Sequence, residues 1–193
     1  FLLTQKSEEK LISSEKGRDI KLELDRKTEE LIRKELAVTK IQVQGEEIVS
    51  KIDQKLRWVV DPIDGTANYF RGLNQCCVSI ALMNEHECQI GVIYDFNSDE
   101  IYCGDCINKV ATLNNSPIQV SKIDDKKDGV LITGLPFNTD YSDGSLNNLI
   151  GDMQSWKKTR MIGSAAMASC YIASGKAELY NCLLYTSDAA DDC

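Results

Sequence analysis

The amino-acid sequence predicts an α/β or α+β sandwich in which strands and helices are interleaved along the chain. Short apolar runs bounded by turn-forming residues are typical of strands. Longer segments with apolar residues at helical spacing separate some of these runs. With 193 residues, of which 42% are hydrophobic, the chain can bury a substantial core.

Helical and extended patterns alternate at the start of the chain. We expect a helix from about residue 4 to 15, followed by alternating apolar and polar residues over 19–25. The segment 26–36 continues as a helix. The face that we predict to be buried carries Leu24, Thr28, Leu31, Ile32 and Leu36. Residues 39–43 and 56–60 are predicted to be strands.

The rest of the chain is predicted to be richer in strands. Turn-bounded apolar runs predict strands at 76–83, 89–96, 100–103, 110–113, 118–120, 129–133 and 177–180. Helical spacing and small residues predict helices at 146–153 and 164–173. We interpret the charged segment 122–128 as a solvated loop.

The most informative segment runs from Trp58 to Tyr69 and reads WVVDPIDGTANY. Its apolar start is typical of the end of a buried strand. We expect that strand to stop at Asp61, because Pro62 cannot donate the next ladder hydrogen bond. Asp64 follows three residues later. Two carboxylates at a strand end favour a hard divalent cation.

The next residues favour an anion. Gly65 lets the backbone approach a ligand closely, and Thr66 is a good residue for the start of a helix. Backbone N–H groups at such a turn bind anions. Carboxylates and N–H groups together suit a metal-bound phosphate. The alternative is an ordinary strand–turn–helix corner with a capping Asp.

This segment resembles the first signature of the inositol monophosphatase family, W-(I/V)-(I/V)-D-P-(I/L)-D-G-T-x-N-(F/Y), and meets it at every position. Residues 19–25 resemble the family's D-x-V-T-x-x-D segment, although Lys21 and Leu22 replace its Val and Thr. The triplet Gly45-Glu46-Glu47 resembles its G-E-E. Residues 160–166 resemble its G-(S/T)-A-A turn, and the likeness extends from about 16 to 180.

The resemblance implies a role for each matched position. The metal ligands it implies are Glu46 (or its neighbour Glu47), Asp61, Asp64 and the backbone carbonyl of Ile63. The residues it implies for substrate and phosphate binding are Asp64, Gly65, Thr66, Gly163, Ser164 and Ala165. The catalytic residues we expect are Glu46, Thr66 and Asp25, with Thr66 bonded to Asp25 to orient a water. For Asp25 alone, a helix N-cap is an equal alternative.

The family fold is a layered α-β-α-β-α sandwich, usually dimeric. Enzymes of this family hydrolyse small phosphate monoesters with two or three Mg²⁺ ions and are inhibited by lithium. The resemblance therefore implies hydrolysis of an inositol monophosphate to inositol and phosphate by a metal-activated water. Alternatives on the same fold are 3′(2′),5′-bisphosphate nucleotidase, fructose-1,6-bisphosphatase and histidinol phosphatase activities. A catalytically dead fragment that only binds metal or phosphate is an alternative of another class.

The net charge and the positions of the cysteines indicate which partners and which compartment to expect. A net charge of −8 argues against nucleic-acid or acidic-membrane partners, and we expect a cytoplasmic protein with reduced cysteines. Cys103 and Cys106 form a C-x-x-C, but no second ligand pair has the spacing of a zinc site. The single histidine, His86, lies in a polar turn and is interpreted as a surface residue.

The end of the chain departs from the family pattern. Family members continue into a segment with W-D-x-A-(A/G), whose Asp completes the second metal site. Here residues from about 182 to 193 resemble a translated sequencing adaptor, so we expect one incomplete domain over 1–181 and a non-native tail. Asp188 is not predicted to be a ligand. The homodimer and full activity are expected of a full-length chain.

Overall fold

The computed structural model describes residues 1–5, 12–16, 19–135 and 139–182, with the backbone alone for 13–16 and 19–22. The chain forms two compact units, Phe1–Pro117 and a second that begins at Ile118. The helices are α1 (Leu2–Gln5), α2 (Glu23–Leu36), α3 (Thr66–Arg71), α4 (Asp143–Ser155) and α5 (Ala165–Ala173). The strands are β1 (Ile12–Lys16), β2 (Asp19–Leu22), β3 (Gln42–Gly45), β4 (Leu56–Asp64), β5 (Cys77–Asn84), β6 (Glu87–Asp95), β7 (Glu100–Asp105), β8 (Val110–Leu113), β9 (Ser116–Pro117), β10 (Val130–Gly134), β11 (Lys158–Met161) and β12 (Leu179–Cys182).

A seven-stranded mixed sheet is the main element of the first unit, with the strands in the order β3-β4-β5-β6-β7-β8-β9. Only the β3–β4 pair among these is parallel, and the later strands form an antiparallel meander. The strands predicted for this region are present, with shifted ends. Residues 118–120 are the exception, because the last strand pairs earlier, at Ser116–Pro117.

The strand β4 does not stop at Asp61 as predicted. It continues to Asp64, and its pairing with β5 shifts between Asp61↔Ser79 and Asp64↔Cys77. Pro62 lies inside this irregularity, where no ladder N–H is required, so a proline is accommodated. The prediction was wrong because it allowed for a regular strand only.

The N-terminal prediction also fails in part. Residues 12–16 form β1, which pairs with β2 in an antiparallel hairpin, so the helix predicted to reach residue 15 is wrong there. Strand pairing outweighs the weak helix preference of a segment with two serines. The described helical residues of this region are Leu2–Gln5. Residues 6–11 lie outside the described part of the chain.

The helix α2 buries a polar face. Its buried residues are Asp25, Thr28 and Glu29, whereas Leu31, predicted to be buried, is 43% exposed. Glu29 is fully buried, and its Oε1 accepts a hydrogen bond from Nε of Arg33 at 2.7 Å. The spacing of the apolar residues placed Thr28 correctly but missed Asp25 and Glu29, because a buried charge is tolerated only where a partner compensates it.

A small aromatic core of the first unit lies behind the end of β4. The buried cluster is Leu2, Ile63, Tyr69, Cys76 and Phe96. The rings of Tyr69 and Phe96 meet edge to face, with centroids 6.0 Å apart. The buried Tyr69 hydroxyl donates to the carbonyl of Leu2 at 2.9 Å. The core thereby fixes both α3 and the turn that leads into it.

The second unit contains a three-stranded parallel sheet in the order β11-β10-β12. Ile132, Ala168 and Ala177 form its buried core. Small residues on α5 let this helix pack closely, and the Ser164 side chain accepts a hydrogen bond from the Met167 N–H at 3.2 Å as the helix cap. In the described residues of the whole chain, no helix has the length and apolar character needed to cross a membrane.

The packing around Glu29 gives a stability prediction. A Cβ placed on Gly45 would overlap the Glu29 carboxylate, whereas one placed on Gly104 would meet nothing within 4 Å. We expect Gly45→Ala to lower the free energy of unfolding by about 1–3 kcal/mol or more, since overpacking here displaces a buried charge.

The matched control is Gly104→Ala, which also adds a methyl group to a strand of the same sheet. It should change the unfolding free energy by less than about 1 kcal/mol. Urea denaturation of both variants measures the difference. Equal losses in the two variants would show that the space around Gly45 is not restricted by Glu29.

Candidate active site

Two parallel strands bring the predicted metal ligands together. Val60 on β4 lies opposite Gly45, the last residue of β3. Because the carboxyl ends of parallel strands meet at one edge of a sheet, Glu46 follows Gly45 at the level of Asp61. Asp64 closes β4 three residues further along. The sequence motif and the separate G-E-E triplet therefore reach the same edge.

The pKa of Asp61 reflects the acidic groups that lie near it. The pKa of Asp61 is raised from 3.8 to about 8, first by burial, then by the charges of Glu46 and Asp64, and to a smaller extent by Asp25. A hydrogen bond from the Ile63 N–H to Asp61 Oδ1, at 3.0 Å, opposes this rise. Three other carboxylates thus lie close enough to the buried Asp61 to raise its pKa.

This arrangement fits a divalent cation. The donors are oxygens, which Mg²⁺ prefers, and buried like charges repel one another unless a cation lies between them. Within the described residues, no three His, Cys, Asp or Glu side chains converge closely enough to enclose a metal ion as they stand. The carboxylates would therefore have to draw together around an ion.

The turn after Asp61 is held by two hydrogen bonds. Besides the Ile63 N–H bond to Asp61, the hydroxyl of Thr66 donates to the Ile63 carbonyl at 2.9 Å. The single hydroxyl proton of Thr66 is thus directed at Ile63 and not at Asp25, which differs from the expected Thr66–Asp25 bond. The Ile63 side chain is 1% exposed and anchors the turn in the core.

Gly65 provides the backbone conformation that this turn needs. Its φ of 86° and ψ of 40° are left-handed, a region that favours glycine. Its carbonyl accepts a hydrogen bond from the Tyr69 N–H at 3.0 Å. Gly65 has no side chain with which to cap α3, and the amide of Thr66 lies in the first turn of this helix, two residues after Asp64.

The segment that carries Glu46 is held by the buried ion pair of α2. Glu29 Oε2 accepts hydrogen bonds from the N–H groups of Glu47 and Ile48, at 2.7 and 3.4 Å. The Arg33 guanidinium donates to the carbonyls of Val43 and Ile48, at 2.8 and 2.9 Å. One ion pair therefore ties the end of β3 to the turn that follows it.

Sequence reasoning missed Glu29 and Arg33. The pair has the i, i+4 spacing of a helical ion pair, which is a signal that the sequence does contain. That spacing is equally common on solvated helix faces. Only the tertiary position of α2 beside β3 and β4 shows that this pair is buried.

The remaining predicted substrate-binding residues lie in the second unit. Gly163 has a left-handed φ of 69°, Ser164 is buried, and Ala165 begins α5. These three belong to the second unit, and their contact with substrate stays a prediction. Asp188 and the rest of 183–193 lie outside the described residues.

Two curated proteins illustrate what the chain is similar to. It is 32% identical to the Nus factor SuhB of Pasteurella multocida over 155 residues, which are 78% of this chain and 57% of that protein. It is 36% identical to inositol monophosphatase 3 of Solanum lycopersicum over 128 residues, which are 64% of this chain and 46% of that protein. The chain thus spans about half the length of these curated relatives.

A solved structure agrees with the fold. The extragenic suppressor protein SuhB of Bartonella henselae superposes with a TM-score of 0.85 at 31% identity, covering 93% of this chain and 71% of that one. The prediction of an α+β fold of this type is confirmed. The model of the inositol monophosphatase family matches residues 2–183. With the motif, the clustered carboxylates and the fold in agreement, the chain belongs to the inositol monophosphatase family.

Proposed function

We propose that the protein is an Mg²⁺-dependent phosphatase that hydrolyses a small phosphate monoester, with an inositol monophosphate as the first substrate to test. The observation that carries this proposal is the set of carboxylates around buried Asp61, beside the left-handed turn at Gly65. The pairing of cation ligands with backbone donors suits a phosphate dianion.

Each residue of the site has a role in this proposal. Glu46, Asp61, Asp64 and the Ile63 carbonyl hold the cation. When bound, Mg²⁺ neutralises phosphate charge and lowers the pKa of the attacking water. The amides of Gly65 and Thr66 hold phosphate oxygens, with Asp64 beside them. Gly163, Ser164 and Ala165 are proposed to contact the rest of the substrate.

The hydrogen bond of Thr66 modifies the expected role of this residue. Because its proton is donated to the Ile63 carbonyl at 2.9 Å, the hydroxyl oxygen of Thr66 is left as an acceptor. We infer that it orients the water by accepting one of its protons. Glu46, or the buried carboxylate of Asp25, is then the group that takes up the proton released by the water.

The names of the relatives differ in what they say about a substrate. Inositol monophosphatase 3 of Solanum lycopersicum supports an inositol phosphate substrate, whereas the name Nus factor SuhB of the Pasteurella relative includes no substrate. The related phosphatase activities on bisphosphate nucleotides, fructose 1,6-bisphosphate and histidinol phosphate stay alternatives. A homodimer is also part of the proposal.

Phosphate release from inositol 1-phosphate tests the proposal. The chain is assayed with and without Mg²⁺. A chimera in which the remaining segment of the Pasteurella relative continues the matched region is assayed beside it, because this chain covers 57% of that protein. Mg²⁺-dependent release by either protein supports the proposal. Folded proteins that bind Mg²⁺ but release no phosphate from any of the four substrate types would favour a binding role.

Replacing Asp61 should affect turnover and thermal stability differently. We expect Asp61→Asn to lower turnover at least about 100-fold, since it removes a charged cation ligand. In the absence of metal, the melting temperature should not fall, because an amide ends the repulsion from Glu46 and Asp64 and can still accept from the Ile63 N–H.

Thermal melts with and without Mg²⁺ measure this difference. The wild type should gain stability on adding Mg²⁺ and the variant should gain little. The prediction fails if the variant gains as much as the wild type, or if it melts well below the wild type without metal.

The ion pair behind Glu46 gives a prediction for a positioning residue. Arg33→Lys keeps the positive charge near Glu29 but loses the fork that reaches the Val43 and Ile48 carbonyls. We expect the Mg²⁺ concentration for half-maximal activity to rise about 10-fold, while turnover at saturating Mg²⁺ changes little.

The control is Arg26→Lys on the same helix, where Arg26 forms an exposed ion pair with Glu30 at 3.0 Å. This variant should behave as the wild type. Mg²⁺-induced shifts of the melting temperature give a second readout that does not require turnover. A loss of turnover in Arg33→Lys at every Mg²⁺ concentration would contradict a positioning role.

A further inference from the structure

The C-x-x-C pattern does not form a dithiol of its own. Cys103 lies opposite Val92 in the β6–β7 ladder, and the next pair is Gly91↔Gly104. Side chains alternate along a strand, so a continuation of this register past Asp105 puts Cys103 and Cys106 on opposite faces of the sheet. Cys106 is exposed, and its neighbour across the sheet has to come from β6.

Backbone pairing brings Cys106 next to the start of β6. The β6–β7 register reaches Ile90↔Asp105, and the Cys106 N–H then donates to the Gln89 carbonyl at 2.9 Å. The ladder is thus one step longer than the strand β7 itself. Cys106 lies two residues after Gly104 and therefore on the same face of the sheet as Gly104 and its partner Gly91.

An irregularity in β6 moves Cys88 onto that face. The pairing with β5 shifts from Leu82↔Ile90 to Met83↔Cys88, so one residue of β6 is left over. As a result, a Cβ on Gly91 would lie 3.9 Å from Cys88 Sγ. The thiol of Cys88 therefore leans over the glycine pair, on the side that carries Cys106.

The two thiols interact in this arrangement. Burial raises the pKa of Cys88, and the charge of Cys106 and a hydrogen bond with its side chain raise that pKa further. Cys88 is partly buried whereas Cys106 is exposed. A reagent in solution therefore meets Cys106 first. Once Cys106 is in a mixed disulfide, its thiolate charge no longer raises the pKa of Cys88, which can then attack the Cys106 sulfur.

We propose that Cys88 and Cys106 form a redox-active dithiol that closes to a cross-strand disulfide when it meets a low-molecular-mass disulfide. The Cys106 thiolate first attacks the reagent, forming a mixed disulfide, and one small thiol leaves with the proton from Cys106. Cys88 then attacks the Cys106 sulfur, and the second small thiol leaves with the proton from Cys88. The dithiol is oxidised by two electrons, and the reagent is reduced to two thiols.

The position of the pair separates it from the carboxylates. Leu56 at the start of β4 lies opposite Asn84, and Asn84 lies opposite Glu87 at the start of β6. Cys88 is therefore at the end of the sheet away from Asp61. The disulfide would link Cys88 to Cys106 in the unfolded chain as well, and would lower the conformational entropy of the unfolded state. We expect the melting temperature to rise and Mg²⁺ binding to stay unchanged.

Oxidised glutathione is the reagent that we would use to test this. The folded chain is incubated with it, the remaining thiols are blocked, and unreduced peptides are mapped by mass spectrometry. A linked Cys88–Cys106 peptide, lighter by two hydrogens than the separate peptides, is the expected result. In Cys88→Ser, Cys106 should instead retain one glutathione. Cys103→Ser is the matched control and should still form the linked peptide.

Three results would overturn the proposal. They are a stable glutathione adduct on Cys106 of the wild type, a Cys103–Cys106 link, and a disulfide between two chains at Cys106. The melting temperature, measured with and without a reducing agent, gives an independent check. The rise on oxidation should be absent in Cys88→Ser and present in Cys103→Ser.

Discussion

The repulsion among carboxylates around Asp61 is the constraint on which the rest of the site depends. Burial and three nearby acidic groups raise the pKa of Asp61 to about 8, so this cluster opposes folding unless a cation or a proton is present. Two sets of contacts outside the cluster hold the backbone that carries these carboxylates. Ile63 and Tyr69 fix the turn in the core, and the Glu29–Arg33 pair fixes the segment after β3.

These supports explain why a polar helix face is buried at this point. Glu29 is itself a buried carboxylate, yet its two oxygens accept hydrogen bonds from a guanidinium and two backbone N–H groups. The ion-paired Glu29 therefore lies behind a group of acidic residues that raise the pKa of Asp61. The contacts of Glu29 hold the backbone next to Glu46, where we propose that the cation binds.

Local patterns made the proposed ligands predictable from the sequence, whereas the residues that support them could not be predicted because they depend on long-range pairing. The motif around Asp61 and the G-E-E triplet each indicate chemistry within a few residues. The burial of Glu29, the exposure of Leu31 and the continuation of β4 past Pro62 all follow from how β3, β4, β5 and α2 pack. The strand β1 was missed for the same reason, because its partner β2 decides its conformation.

Both sites proposed for this chain lie where the main sheet is irregular. The shift between Asp61 and Asp64 separates two carboxylates along one strand edge, and the shift beside Cys88 turns a thiol towards Cys106. In a regular strand, neighbouring side chains extend from opposite faces and cannot converge. An extra residue removes that restriction at a small local cost in pairing. The same sheet can therefore carry a cation site at one end and a dithiol at the other without either one disturbing its core.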